Sequence, residues 1–144
     1  MNIKLEPVNE SNYWACIEMP ELDYVASNVV SLAQAYVYED WYPFCIYNDD
    51  TLVGFTLYAI DHEDKDEYWM VRLYIAKEHQ NKGYGKEAVK KLIKLVKDKY
   101  NCKKFHTSTE PENKRGLHVY ESIGFKRTGR IEDEEEILVY EFND

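Results

Sequence analysis

Residues 69–96 read WMVRLYIAKEHQNKGYGKEAVKKLIKLV, and the change of pattern inside them decides the fold. The first eight, 69–76, are dense in β-branched and aromatic side chains and give way to polar residues, which predicts a strand. From Gly85 onward Ala88, Val89, Leu92, Ile93 and Val96 recur at helical spacing, while Lys86, Lys90, Lys91, Lys94 and Lys97 fall mostly on the other face, which predicts an amphipathic helix. Between the two lies Gln80-Asn81-Lys82-Gly83-Tyr84-Gly85. Glycines let a chain turn sharply and approach a ligand, and the first turn of a helix presents amide N–H groups with no partner inside the helix. The peptide dipoles add partial positive charge there, so such a turn can hold a pyrophosphate with main-chain donors, Lys82 and Lys86 adding charge. The same residues also suit a plain strand-to-helix connection whose glycines serve packing. A Walker-type phosphate loop is disfavoured because no Gly-Lys-Ser/Thr closes the turn, and a dinucleotide fingerprint fails on an incomplete glycine pattern.

The length, 144 residues, suits one domain with a core of its own. No stretch approaches the length of a membrane span, and MNIKLEPVNE lacks the basic-then-apolar layout of a secretory leader, so the expectation is a cytoplasmic protein. Cys16, Cys45 and Cys102 are odd in number and dispersed, and His62, His79, His106 and His118 lack ligand spacing; free thiols are expected and no metal. Charge is unevenly placed. Residues 1–70 hold fourteen acids against Lys4 and Lys65, a balance of −12, whereas residues 71–144 hold thirteen acids and sixteen bases, +3, within the overall −9. An anion-holding half joined to an acidic half suits an enzyme that brings a polyanionic cofactor to a cationic substrate, although surface acids also serve solubility alone. Nucleic acid is an unsuitable partner, since the basic residues form no patch with interleaved aromatics.

Outward from the central stretch, a short strand holds Ile3 and Leu5 and ends at Pro7. A helix capped by Ser11 is expected through Met19, and a second from about Tyr24 to Tyr36 capped by Asp23. Their join contributes Glu18, Glu21 and Asp23 to one wall of a substrate pocket. Glu39, Asp40 and Trp41, among the tyrosines 36, 38 and 42, offer carboxylates and ring faces to an ammonium group. Strands at 44–47 and 52–60 are joined by the turn 48–51, and the acidic run 61–67 reads as a loop. Strand 103–109 and helix 110–123, entered through Pro111, follow. Asn113 and Tyr120, seven residues apart, would share a helical face lining a cleft. Gly124 ends that helix, a strand runs to about Thr128, 130–136 reads as an acidic turn, and 137–142 as a closing strand. The order β α α β β β α β α β β is a mixed α/β domain with a largely antiparallel front and one β-α-β crossover.

These residues resemble the GCN5-related N-acetyltransferase (GNAT) superfamily. The features that carry the resemblance are Leu73-Tyr74-Ile75, then residues 80–85 fitting Gln/Arg-x-x-Gly-x-Gly/Ala, then Asn113 followed by Tyr120 in Tyr-Glu-Ser-Ile-Gly-Phe. The resemblance implies a central, mostly antiparallel twisted sheet of about seven strands with four helices, whose fourth and fifth strands splay apart. It implies that Leu73, Tyr74 and Ile75 pair with the pantetheine arm of acetyl-CoA. Gln80, Asn81, Lys82, Gly83, Tyr84, Gly85 and Lys86 would hold its pyrophosphate, Asn113 would touch the cofactor, and Tyr120 would protonate the departing thiolate. Residues 68–75 and 80–85, with Ala26-Ser27-Asn28 and Ser31-Leu32-Ala33-Gln34-Ala35, are similar to the bacterial spermine/spermidine (diamine) acetyltransferases. A polycationic amine acceptor, in that subgroup's manner, and self-association into a homodimer are further implications of the resemblance. Asn81 stands where many members carry glycine, and Val71 and Arg72 stand where several polyamine acetyltransferases recruit a carboxylate, so no base is assigned. Rival readings are an acetyltransferase of protein N-termini or aminoglycosides, and a non-catalytic acyl-CoA-binding regulator.

Overall fold

The computed structural model describes residues 1–143. Its chain runs β1 (Ile3–Pro7), α1 (Tyr13–Ile17), α2 (Asn28–Val37), β2 (Trp41–Asn48), β3 (Thr51–Asp61), β4 (Glu67–Ile75), α3 (Tyr84–Tyr100), β5 (Lys104–Thr109), α4 (Lys114–Ile123), β6 (Lys126–Glu132) and β7 (Glu135–Glu141). This is the order the sequence predicts. The strands form one seven-stranded sheet in the order β1-β2-β3-β4-β5-β7-β6, antiparallel throughout except for the parallel pair β4/β5 joined by the α3 crossover.

Helices on both faces explain why residues 53–60 of β3 are buried without interruption. On one face the apolar stripe of α3 packs with α4: Val89, Leu92, Val96, Leu117 and Tyr120 meet Met70, Phe105 and Leu138 from the sheet. Each such large apolar side chain contributes about 1.5–3 kcal/mol by leaving water. On the other face α1 and α2 cover β2 and β3 around Cys16, Cys45, Phe55, Leu57 and Tyr74. Cys16, Cys45 and Cys102 are buried free thiols.

Four local expectations are corrected. Ser11 does not cap α1: its amide and hydroxyl donate to Asn9 Oδ1 at 2.9 and 2.7 Å, and Asn12 takes the cap position of a helix only five residues long. Asp23 does not cap α2 either. Tyr24 adopts a left-handed backbone (φ +67°), and the helix starts only at Asn28, after Ser27 Oγ accepts from the Val30 amide at 3.2 Å. Helix α4 begins at Lys114, not Glu110, because Asn113 supplies the cap. Finally, the turn expected over 130–136 shrinks to Asp133 and Glu134, both left-handed (φ +50° and +67°), as a two-residue hairpin requires; their neighbours pair across the two strands, Ile131 with Glu136 and Glu132 with Glu135, despite their charge.

Candidate active site

The site begins where β4 and β5 part company. Their parallel pairing consists of Trp69 with His106 and Met70 with Thr107. Beyond it β4 continues through residues 73–75, paired on the β3 side only, so its main-chain groups on the β5 side face an opening. At the parting point β4 carries one extra residue: the register passes from Leu57↔Arg72 to Tyr58↔Met70, leaving Val71 as a bulge. A bulge re-aims the chain and raises its twist.

The turn after β4 has the geometry its glycines predict. Asn81 and Gly83 are both left-handed, at φ +65° and +83°. Asparagine tolerates that conformation better than most residues, which explains Asn81 in a position that otherwise suits glycine. Gly83 caps α3 without a side-chain bond, and the first main-chain bond of the helix runs from the Glu87 amide to the Gly83 carbonyl at 3.2 Å. The amides of residues 84–86 therefore precede any intrahelical partner. Gly85 lies against β4, where an added Cβ would sit 3.4 Å from Ile75 Cγ1 and 3.9 Å from Leu73 Cδ2, so the helix start adjoins the unpaired strand edge. Gln80 closes the turn by donating to the Ile75 carbonyl at 3.0 Å. The ring of Tyr84 points elsewhere, its hydroxyl accepting from Asn48 Nδ2 at 3.1 Å, while Lys82 is exposed and Lys86 half-buried.

Across the opening, Arg115 in the first turn of α4 donates to Gln80 Oε1 and Asn81 Oδ1, placing a cation beside the turn. Asn113 secures that helix start: its Oδ1 accepts from the Gly116 amide at 3.0 Å and its Nδ2 donates to Thr109 Oγ1 at 2.9 Å. Tyr120, only 7% exposed, lies deeper on α4 with its ring against Phe125. Burial pushes its phenol up to about 12, against a lowering hydrogen bond with Thr107. The Thr107 hydroxyl itself donates to the Met70 carbonyl at 3.0 Å, tying this group to the strand-parting point.

On the opposite face, a cavity of about 260 Å³ is lined by Trp69, Ser108, Ile137, Glu132, Asp133 and Glu135. Ser108 Oγ donates to Glu135 Oε1 at 2.7 Å, and Arg130 pairs with Glu132 at 3.1 Å in the open. A hollow of about 310 Å³ around Met1, Asn2, Ile3, Glu87 and Lys91 shares no residue with this cavity.

The acids and aromatic expected to hold the amine are placed otherwise. Glu18, Glu21, Asp23 and Glu39 are exposed, and none of them lines the cavity. Asp40 is engaged by the Tyr42 hydroxyl and by His62 Nε2, each at 2.6 Å. His62 also meets Asp66 at 2.6 Å, and these two carboxylates, Asp66 first, push the imidazole up to about 9. Asp40 thus already has a cation. Trp41 faces the Arg72 guanidinium, 6.0 Å from its ring centre. Arg72 in turn donates to Ser31 Oγ at 3.1 Å and Gln34 Oε1 at 2.6 Å, fastening α2 to the bulge. Among the described residues no group of three or more His, Cys, Asp or Glu is placed to hold a metal ion, and no helix is long and apolar enough to cross a membrane.

An open amide turn thus stands at the end of a strand splayed from its parallel neighbour. The Acetyltransferase (GNAT) family pattern matches residues 13–125, and the chain belongs to that family. It is 29% identical to the probable spermine N(1)-acetyltransferase of Bacillus subtilis subsp. natto (strain BEST195), over 98% of this chain and 99% of that protein. Among solved structures, PaiA N-acetyltransferase from Thermoplasma acidophilum in complex with coenzyme A superposes with a TM-score of 0.75 at 18% identity, over 99% of this chain and 100% of that one. AAC(6')-Ib in complex with paromomycin and acetyl-CoA gives 0.82 at 17% identity, over 98% and 94%. The protein is an acetyl-CoA-dependent N-acetyltransferase.

Proposed function

We propose that this single domain transfers acetyl from acetyl-CoA to a primary amine of a polyamine of the spermidine or spermine class, by direct attack in a ternary complex. The observation that carries the reading is the acidic cavity beside the strand-parting point, with Glu132, Asp133 and Glu135 at its wall. A polyamine presents several ammonium groups on an apolar stem, and such a stem suits the half-buried Trp69 and the buried Ile137 in the same wall. The exposed Arg130–Glu132 pair is of a kind that contributes little to stability, so an incoming polycation can replace the arginine. The similarity to a probable spermine acetyltransferase supports the same acceptor.

In this mechanism the pantetheine arm lies along Leu73, Tyr74 and Ile75, and the pyrophosphate rests on residues 80–86, with Arg115 adding charge. Asn113 acts from the cap, fixing the helix that carries Arg115 and Tyr120. Main-chain N–H groups of the bulged strand stabilise the oxyanion that forms on the thioester. Tyr120, neutral at pH 7, protonates the leaving sulfur. The reaction takes place in the cytoplasm.

Turnover of acetyl-CoA with spermidine, spermine, peptide N-termini and aminoglycosides tests the acceptor, and activity confined to peptides or aminoglycosides would reject it. Within that screen, Glu135→Gln is expected to raise the KM for spermine about tenfold while leaving that for acetyl-CoA unchanged, since one buried-edge charge contact is worth about 1.5 kcal/mol or more.

A homodimer is proposed through α2, which holds no charged residue in Asn28–Val37. Val29, Val30, Ala33, Tyr36 and Val37 are exposed along one stripe, Tyr36 at 91%. In a chain of net charge −9, that neutral stripe is where a second copy can approach without repulsion. Sedimentation equilibrium should report a dimer that Tyr36→Glu converts to monomer; a monomeric wild type removes the proposal.

A further inference from the structure

Among the described residues three buried side-chain polar atoms lack a hydrogen-bond partner, and two of them are neighbours: Trp69 Nε1 and His106 Nδ1. The two rings stack with centroids 4.9 Å apart and planes 24° apart. Their residues face each other across β4 and β5 at the strand-parting point. Leaving one buried donor and one buried acceptor open side by side is unfavourable unless a water or a ligand group fills the gap. Trp69 lines the acidic cavity, and His106, 8% exposed, lies behind it.

We propose that His106 Nδ1 accepts the proton that the acceptor ammonium must lose, through a water held between Nδ1 and the Trp69 indole N–H. This rests on the amine-acceptor reading of the cavity. An alkylammonium with a pKa of about 10.4 is neutral in only about one part in a few thousand at pH 7, so an attacking amine needs such a group. The proton leaves the ammonium for the water, and the water gives one to Nδ1. The freed nitrogen lone pair then forms the C–N bond at the thioester carbon, the C–S pair leaves with sulfur, and sulfur takes the Tyr120 proton. The surplus proton on the new amide nitrogen restores the tyrosine, and the imidazolium releases its own to solvent. The sum is one acetamide, one thiol and one proton from one ammonium and one thioester.

The surroundings keep this imidazole neutral and ready. Burial lowers its proton affinity first, and Lys104 on its own strand and Arg130 on β6 lower it further; Glu67 on β4 and a hydrogen bond to the Tyr68 main chain act the other way. The carboxylates of Glu132, Asp133 and Glu135 line the adjoining cavity from the β6–β7 hairpin.

The test is His106→Gln, with Trp69→Phe as its partner variant, assayed by acetyl transfer to spermidine from pH 5.5 to 10. The glutamine variant is expected to lose about 100-fold in kcat with coenzyme A affinity unchanged. Its rate should climb about tenfold per pH unit toward the amine's own pKa, since only amine already neutral can react. Trp69→Phe, which keeps the stack and removes the N–H, should lower kcat less and leave the KM for acetyl-CoA alone. A glutamine variant within threefold of wild type and with its pH profile would overturn the proposal. So would NMR titration of the wild type showing His106 protonated at pH 7, a readout that stands even where the variant fails to fold. Wild-type turnover of another amine but no polyamine would overturn the acceptor assignment alone, and His106 is then tested on that amine.

Discussion

Tyr120→Phe is expected to lower kcat by about 100-fold or more, the usual contribution of a positioned proton donor, with the KM for acetyl-CoA within a factor of two. The phenol is held by packing: its residue is 7% exposed and its ring meets Phe125 edge-on at 5.7 Å between centroids. Removing the hydroxyl leaves that packing intact, and Thr107 keeps its bond to the Met70 carbonyl, so the fold should lose no more than about 1 kcal/mol. Activity and stability are thereby separated. Because burial pushes the phenol up to about 12, Tyr120 stays protonated through pH 10, and no fall in wild-type rate below that pH should trace to it. Measuring kcat, KM and melting temperature on the same preparations decides the matter. A phenylalanine variant with full kcat would point to solvent as the proton source, and a wild type that binds coenzyme A without turnover would favour an acyl-CoA-binding regulator.

The parts of this site that the sequence reveals are local ones. Strand, turn and helix in residues 69–96 are legible because the apolar period changes there and two glycines punctuate the change; the left-handed Gly83 and the close contact of Gly85 with Ile75 follow directly. What the sequence conceals depends on partners far along the chain. Asp40, Trp41 and their neighbours look like an ammonium cage until His62 and Arg72, brought in by β3 and β4, occupy them. Conversely, the carboxylates that do line a cavity sit in 130–136, where density of charge imitates a loop, and they meet Trp69 and Ser108 only through the order β4-β5-β7-β6. His106 is a lone histidine in a largely buried strand, Lys104–Thr109, a placement that more often means packing than chemistry. Arg115 has no motif at all; the one available signal is its position in the first turn of a helix whose cap, Asn113, the family pattern already singles out.

Gly54→Ala carries the largest expected loss of stability. Gly54 pairs with Ile75 across β3 and β4, and an added Cβ there would lie 2.1 Å from the Tyr74 carbonyl oxygen, 3.2 Å from its carbonyl carbon and 3.0 Å from Ile75 Cδ1. The obstructing atoms are mainly backbone, which no rotamer change can move, so the methyl group must push the two strands apart. Overpacking of that kind costs about 3 kcal/mol, equivalent to a fall of about 6–12 °C in melting temperature for a chain of this size. Residues 73–75 lie on the displaced strand, so coenzyme A affinity should fall as well. Gly116→Ala provides the contrast. Its new Cβ would meet the side chain of Asn113, 2.4 Å from Nδ2, which can swing away at the expense of the cap, about 1 kcal/mol. Thermal unfolding of both variants, with coenzyme A titrated into each by calorimetry, should rank Gly54→Ala well below Gly116→Ala in stability. If Gly54→Ala instead melts within 2 °C of wild type and binds coenzyme A normally, β3 and β4 separate without penalty at Gly54, and β4 is not the rigid rail on which the pantetheine arm is proposed to lie.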